Sequence, residues 1–365
     1  MSQKIKIAID ISPTTDGNST RGVGYYTQNL IGSLQKEITN NPKYNNWHIE
    51  LIRNSTLDIR NYDLIHYPYF DPFKLTLPIT KNIPTVVTVH DLIPRQFKSH
   101  FPVGIKGELK WFLQKQHLKK ASHIITVSQY SKTIIQKIIK VPAEKITPIY
   151  EAAGPNFKLI KDIQKIKEIK NKYLLPEKFI LFIGDINWNK NIPNLVKACL
   201  KNKYPLVIVG SAATKKDVPD HPWTKDLLWL QSKAKKLNSQ KTNSLILTGF
   251  VPDEDLPLIY NLATIYCQPS YAEGFGLPLV ESMQSGCPVA FSRDTCLPEI
   301  MNDCGISFNP RSVSDISATL KKLWLKPSLR QKYQKCGLQR SKFFKWEITA
   351  KQTLLVYQSL IGHEK

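Results

Sequence analysis

Short apolar runs rich in Ile, Val and Leu alternate along the chain with stretches where apolar residues recur every three or four positions. In the first half, the runs at 5–11, 63–67, 84–90 and 123–128 predict strands. Between them Val23, Tyr26, Leu30 and Leu34 form one helical stripe, and Ile134, Ile135 and Ile138 another. The second half repeats the scheme, with strands expected at 179–184, 205–210, 244–249, 264–268 and 288–291. Helical stretches near 192–200, 227–237, 256–262 and 278–285 separate them. The strand runs are apolar throughout rather than alternating, which predicts parallel sheets covered on both faces. The fold class is therefore α/β, with two doubly wound sheets in succession.

The boundary between the halves is marked by polarity. A Lys-rich segment containing Pro176 precedes the fresh strand at 179–184, so the linker is expected at about 152–177. This divides the chain into 1–165, 166–342 and a terminal piece, 343–365. That last piece reads as an amphipathic helix carrying Phe343, Phe344, Trp346, Leu354, Leu355 and Tyr357, able to pack back on the first domain. In doubly wound sheets ligands bind beyond the carboxyl ends of the strands, so the loops after each strand are where chemistry is sought.

Composition changes this picture little. The 365 residues suit two domains, and 42% hydrophobic with 22% charged residues excludes disordered and fibrous classes. Charge is the unusual quantity, at +22, with 51 Lys plus Arg against 29 Asp plus Glu. Only eight of those cations are Arg, and none lies between Gln96 and Ser292. Base-specific readers lean on Arg for bidentate contacts, so a nucleic acid is not the expected partner. Attraction to phosphates, nucleotide donors or a lipid surface remains open. Met1-Ser2-Gln3-Lys4 runs directly into the first strand, and no apolar run reaches the length of a membrane span, so the cytoplasm is the expected compartment. The six cysteines (199, 267, 287, 296, 304 and 336) form no C-x-x-C pair and are expected as free, mostly buried thiols.

Four segments carry candidate chemistry. Arg21-Gly22-Val23-Gly24 lies at the first strand-to-helix turn, where main-chain N–H groups can approach an anion. Thr27 stands where a dinucleotide fingerprint has its third glycine, which disfavours nicotinamide and flavin. His90 and Asp91 follow the third predicted strand. Lys190 lies between a strand and a helix, placed to neutralise a phosphate. The sharpest segment is Glu273-Gly274-Phe275-Gly276-Leu277-Pro278 with Glu281. Its glycines and proline predict a helix N-terminus aimed at an anion, and Glu281 one turn on can accept both hydrogen bonds of a ribose diol. Asp253-Glu254-Asp255 matches D-x-D, but Pro252 before it and a helix after it predict capping acids rather than a metal site.

Glu273 and Glu281, seven residues apart, resemble the E-x7-E signature of retaining glycosyltransferases of family 4. The resemblance extends through Arg21-Gly22-Val23-Gly24-Tyr25-Tyr26, His90-Asp91-Leu92-Ile93-Pro94, Val127-Ser128 with Ser131, Thr248-Gly249-Phe250-Val251-Pro252, Cys287-Pro288-Val289 and Leu297-Pro298-Glu299. It covers nearly the whole chain and is nearest to mannosyltransferase-like members. It implies a GT-B fold, two Rossmann-like domains facing a cleft. By the resemblance, Glu281 holds the donor ribose and Glu273 the hydroxyls of the transferred sugar. The amides of Gly276 and Leu277, with Lys190, meet the pyrophosphate, and Gly249, Phe250, Gly274 and Phe275 complete the donor site. His90 faces the sugar, Gly22 and Gly24 border the pyrophosphate, and Arg21, Tyr25 and Asp91 lie toward the acceptor. Asn189 departs from the pattern, because the family usually has Arg before this Lys.

The resemblance further implies transfer of a hexose with retention, without a metal or other cofactor, from a nucleotide-sugar to a glycan or lipid-linked acceptor. GDP-mannose is the first donor expected, then UDP-glucose. Between Phe101 and Lys140 stand eight Lys and one acid, Glu108. Trp111 and Phe112 beside them read either as a core-facing pair or as a contact with an anionic membrane surface. Two other readings differ in class: a basic nucleic-acid or anionic-surface binding protein, and a catalytically silent scaffold of the same fold.

Overall fold

A computed structural model describes residues 4–15, 22–53, 61–77, 83–240 and 244–361. The chain divides into two units. Met1–Lys98, Val103–Ala152 and Lys345–Lys365 make the first, and Ser99–Pro102 with Ala153–Phe344 make the second.

In the first unit the strands are β1 (Ile5–Asp10), β2 (Trp47–Ile52), β3 (Leu64–Tyr67), β4 (Thr85–Val89), β5 (His123–Thr126) and β6 (Ile146–Pro148). They lie in the order β2-β1-β3-β4-β5-β6, with every neighbouring pair parallel. Helices α1 (Gly22–Asn40), α2 (Ile93–Gln96), α3 (Gly104–Lys120) and α4 (Gln129–Ile139) connect them. β3 and β4 are buried along their whole length; β4 is β-branched throughout, while β3 carries the polar His66. The order reverses between β1 and β3, so the crevice of this sheet opens at their carboxyl ends, one strand from His90.

The second unit contains β7 (Ile180–Ile183), β8 (Leu206–Val209), β9 (Leu245–Gly249), β10 (Ile265–Gln268), β11 (Val289–Ser292) and β12 (Ile306–Phe308). Their order is β12-β11-β10-β7-β8-β9, again all parallel. Around them lie α5 (Ile163–Lys172), α6 (Ile192–Asn202), α7 (Lys225–Ser239), α8 (Leu256–Leu262), α9 (Leu277–Gln284), α10 (Leu297–Met301), α11 (Val313–Leu325) and α12 (Pro327–Ser341). Phe182, Ile208 and Cys267 from the sheet pack with Leu195, Leu230 and Leu320 in one core. Strand order reverses between β7 and β10, which puts the crevice of this sheet in the two loops that follow them.

Three expectations need correction. The boundary at 165 falls inside α5, which belongs to the second unit, and the first unit ends at Ala152. The end of the second unit lies at Phe344, so the terminal helix α13 (Trp346–Ile361) joins the first unit without Phe343 and Phe344. Within that unit Trp346 packs on the rings of Tyr25 and Tyr26, at 6.2 and 5.8 Å between centroids. The hydroxyl of Tyr357 lies 2.6 Å from Nδ1 of His66, whose other nitrogen is 2.8 Å from Thr88 Oγ1. Burial pushes the His66 pKa down to about 3, so the ring is neutral. Finally, the six cysteines are not all free. Cys304 and Cys336 form a disulfide, with their Cα atoms 5.1 Å apart, while Cys199, Cys267, Cys287 and Cys296 are free and buried. Among the described residues no helix is long and apolar enough to cross a membrane.

Candidate active site

Two loops at the switch point of the second sheet build the densest polar cluster. The loop after β7 runs through Trp188, Asn189 and Lys190 to Asn191, which takes a left-handed conformation at φ 56°. Asn accepts that conformation more readily than most side chains. The Asn191 amide donates to the carbonyls of Pro269 (2.9 Å) and Pro310 (2.8 Å), which binds this loop to the one after β10. Asn189 adds a second tie. Its carbonyl accepts from Tyr271 N at 2.8 Å, and its buried amide donates to Ala272 O at 3.1 Å. The residue that departs from the family pattern therefore fastens the loop carrying Glu273.

The ties bring Lys190 onto Glu273. The ammonium donates to both carboxylate oxygens at 2.8 Å, and Oε1 accepts further from Gln268 Nε2 (2.7 Å) and Ser270 Oγ (2.6 Å). Tyr266 OH donates to the Gln268 carbonyl oxygen, which orients the amide so that its nitrogen faces Glu273. The Glu273 carboxylate is buried and fully solvated by protein donors, as a buried charge must be.

Gly276 begins α9 in a left-handed conformation, φ 89°. A Cβ there would lie 2.9 Å from Leu297 Cδ2, so backbone and space both demand glycine. Gly276 has no side chain with which to cap the helix. The positive end of the helix dipole lies at this loop, while the charge of Lys190 is balanced by Glu273. Phe275 turns its ring onto Phe344 (5.9 Å), so only its main chain is available to a ligand. Glu281, on the second turn of α9, accepts from Tyr260 OH at 2.8 Å. Burial pushes its pKa up to about 7, against the stabilising bond from Tyr260, and the charge of Asp253 adds to the rise.

Gly249 also has a positive φ, 73°, with Thr214 Oγ1 2.6 Å from where a Cβ would stand. It ends the edge strand β9, and Phe250 beside it is exposed. The hydrogen bonds around Glu273 do not include either residue. Asp255, at the position before α8, does not cap that helix through its side chain. Its carboxylate instead accepts from Lys172 (2.7 Å) and Tyr173 (2.6 Å), which corrects the capping assignment.

In the first unit, His90 follows β4. Its Nδ1 lies 2.9 Å from Glu151 Oε1, and Nε2 lies 3.2 Å from the Pro68 carbonyl. A carbonyl only accepts, and a carboxylate accepts when ionised, so the arrangement suits the imidazolium with both nitrogens donating. Burial pushes the pKa of His90 down, but Glu151, the Pro68 carbonyl and Asp91 together outweigh it and leave the value raised. Tyr26 meets the ring edge-on at 4.6 Å. Ser128 caps α4 by accepting from Ser131 N, and Ser131 Oγ donates to the His90 carbonyl. Asp91 accepts from Ile93 N at 2.9 Å, a local turn that leads the chain into α2. Gly22 and Gly24 lie in the first turn of α1 rather than in the loop before it, and among the described residues outside that turn nothing stands within 4 Å of a Cβ on Gly22. Tyr25 packs on Trp346, and Arg21 lies outside the described residues. Sequence reasoning missed Glu151, Gln268, Ser270 and Tyr260, which no local motif marks.

Residues 11–153 match the sequence model of Glycosyltransferase Family 4, and residues 164–340 match that of Glycosyl transferases group 1. The chain is a family 4-type glycosyltransferase. It is 29% identical over 314 residues to O-antigen chain mannosyltransferase B of Escherichia coli, covering 83% of this chain and 76% of that one. It is 30% identical over 290 residues to the serotype-specific mannosyltransferase WbdA of Escherichia coli, covering 77% of this chain but about a third (34%) of that longer protein. Sucrose-phosphate synthase from Thermosynechococcus elongatus superposes with a TM-score of 0.75 at 18% identity, covering 98% of this chain and all of that one (100%). HepE from Anabaena, solved with UDP and glucose, gives 0.71 at 15% identity over 98% of this chain and 100% of that one. These likenesses establish the two-domain GT-B fold of the glycosyltransferase.

Proposed function

We propose that this glycosyltransferase moves mannose from GDP-mannose, with retention of anomeric configuration, to a glycan or lipid-linked acceptor in the synthesis of an O-antigen-type surface polysaccharide. The observation that carries the reading is the Lys190–Glu273 cluster beside the uncapped N-terminus of α9, on the β7/β10 switch point. The named activity of the relatives, mannosyl transfer, supports the choice of sugar. In this reading Lys190 and the Gly276 and Leu277 amides receive the diphosphate, stabilising charge as it develops on the leaving group. Glu281 takes the ribose diol, and Glu273 the hydroxyls of the transferred sugar. Gly274 and the main chain of Phe275 line the same loop, while Gly249 and Phe250 extend the donor site along the sheet's carboxyl edge. His90 keeps the role the resemblance implies, facing the transferred sugar. No metal is assigned, because the Asp255 carboxylate is already held by Lys172 and Tyr173. The location proposed with this chemistry is the cytoplasm.

Thermal shift against GDP-, UDP- and ADP-sugars tests the donor. GDP-mannose is expected to raise Tm most, since about 2.7 kcal/mol is gained at a hundredfold excess over Kd. Glu273→Gln should then abolish transfer while GDP alone still binds, and NMR of the product should show the α-linkage of the donor kept. A larger shift with UDP-glucose would reassign the sugar, and no shift with any donor would defeat the reading.

A further inference from the structure

The helix α3 is apolar on two opposite faces. Its inner face buries Gly107, Trp111, Gln114 and Leu118 in the first unit, with Trp111 only 7% exposed. Its outer face carries Ile105, Leu109, Phe112 and Leu113, which are 90%, 61%, 59% and 40% exposed. The spacing i, i+4, i+7, i+8 puts these four on one arc about 100° wide. Burial therefore explains Trp111 but not Phe112, and a solvated helix has no reason to present such a stripe. Contiguous apolar surface of a few hundred Å2 on a soluble chain marks an interaction site.

Lysines border the stripe on both sides. Lys106 and Lys110 lie along one edge, Lys115 and Lys119 along the other, and Lys120 at the end. Glu108, the only acid in the helix, is held by the buried Arg95 through two bonds of 2.6 and 3.0 Å. The other charged residues of the helix are thus all cationic. The positive field is strong enough that Lys115, already disfavoured as a cation by burial, is pushed down further by Lys119, Lys140, Arg95 and Lys98.

We infer that the outer face of α3 docks on an anionic lipid bilayer, with Ile105, Leu109, Phe112 and Leu113 entering the interfacial region and the flanking lysines meeting headgroup phosphates. An in-plane amphipathic helix with apolar residues centred between lysines is the form such binding takes. A protein groove would satisfy the apolar stripe, but it would not require cations along both edges and none of the opposite sign. The inference is independent of the donor chemistry, because no residue of the Lys190–Glu273 cluster belongs to α3.

Vesicle co-sedimentation tests it on the full chain. Neutral phosphatidylcholine vesicles are compared with vesicles containing about 30% phosphatidylglycerol at about 0.1 M salt. The protein is expected to bind the anionic vesicles at least about tenfold better, each surface lysine adding to the attraction. Leu109→Ser/Phe112→Ser should lose most binding at any salt concentration. Lys106→Gln/Lys110→Gln should lose it mainly at low salt, since screening already weakens those charges at high salt. Both variants change exposed positions, and unchanged Tm with unchanged donor-induced shift would show that fold and donor site persist. Equal sedimentation with neutral and anionic vesicles, or no loss in the Leu109/Phe112 variant, overturns the inference. So does a wild-type dimer that becomes monomeric in that variant without any vesicle binding, which would make the face a contact between copies.

Discussion

Glu281 is a carboxylate whose protonation changes near neutrality. Because burial raises its pKa to about 7, it is largely protonated at pH 6 and ionised at pH 8. The ionised group accepts from both diol hydroxyls through both oxygens and with full charge, whereas protonation turns one oxygen into a donor, so donor affinity is expected to rise with pH up to about 7 and level above it. Below that point the expected slope is up to about tenfold per pH unit. Calorimetry of GDP-mannose binding between acidic and alkaline pH checks this, with Glu281→Gln as the flat control. Tyr260→Phe should move the midpoint upward, since the Tyr260 bond favours the ionised form. The same raised value means that Glu281 contributes stability at low pH that is lost as pH rises from the ordinary carboxyl range to about 7. His90 runs the other way. Glu151, the Pro68 carbonyl and Asp91 hold it above the ordinary imidazole value, so its pairing stabilises the fold below that value and fades as pH rises through the raised one. Glu151→Gln removes the largest of the causes that raise the His90 value, so that value is expected to fall. The alkaline limb of the kcat profile should then shift to lower pH, with kcat down about tenfold at pH 7.5 and KM for the donor little changed, consistent with an effect of general acid–base size or smaller. An unchanged profile would leave Glu151 a structural partner only.

At the scale of elements, the central strands were legible and three edge strands were not. β3, β4, β7, β8, β10 and β11 are short apolar runs because helices cover both faces of the sheet. β2, β6 and β12 are three of the four edges, and their segments (Trp47-His48-Ile49-Glu50-Leu51-Ile52, Ile146-Thr147-Pro148, Ile306-Ser307-Phe308) mix polar and apolar residues, whereas the fourth edge, β9, keeps the apolar run Leu245-Ile246-Leu247 and was legible. With one neighbour instead of two, an edge strand needs less apolar sequence, and its signal fades. The loops after β7 and β10 illustrate the same limit. Lys190 and Glu273 could each be suspected from position, but they are 83 residues apart and only the strand order makes them partners. The Cys304–Cys336 disulfide belongs to this scale too, tying the segment between α10 and β12 to α12. It closes 32 residues, a loop whose entropy corresponds to about 3–4 kcal/mol. Reduction, or Cys336→Ser, is expected to lower Tm by several degrees. Titration of the unreduced, denatured protein should find four thiols, and six would show the pair open.

At the scale of the whole molecule, the terminal helix α13 supplies part of the core of the first unit. It buries Trp346, Leu354, Val356 and Tyr357, each worth about 1.5–3 kcal/mol, against a typical total stability of only about 5–15. Ending the chain at Phe344 is therefore expected to yield an aggregating protein or one lacking a cooperative transition for the first unit. Tyr357→Phe keeps the ring but leaves Nδ1 of His66 without its partner, and should cost about 1–3 kcal/mol, readable as a modest fall in denaturant midpoint.

The +22 charge takes its meaning at this scale as well, because position rather than total decides what a lysine does. Lys190 sits on a carboxylate at the switch point, whereas Lys106 and Lys110 border an exposed apolar stripe. From the linear chain came the two doubly wound halves, the helix starting near Pro278 and the spacing of Glu273 and Glu281, all of them consequences of local periodicity and backbone chemistry. Tertiary structure alone assigned Glu151 to His90, Gln268 and Ser270 to Glu273, and Asn189 to the loop it fastens. Glu151 stands 61 residues from His90 and Asn189 83 residues from Ala272, so nothing in either partner's own surroundings along the chain depends on the other; Gln268 and Ser270 are near Glu273 in sequence, but which of their atoms meet its carboxylate is decided by how the loop after β10 folds back.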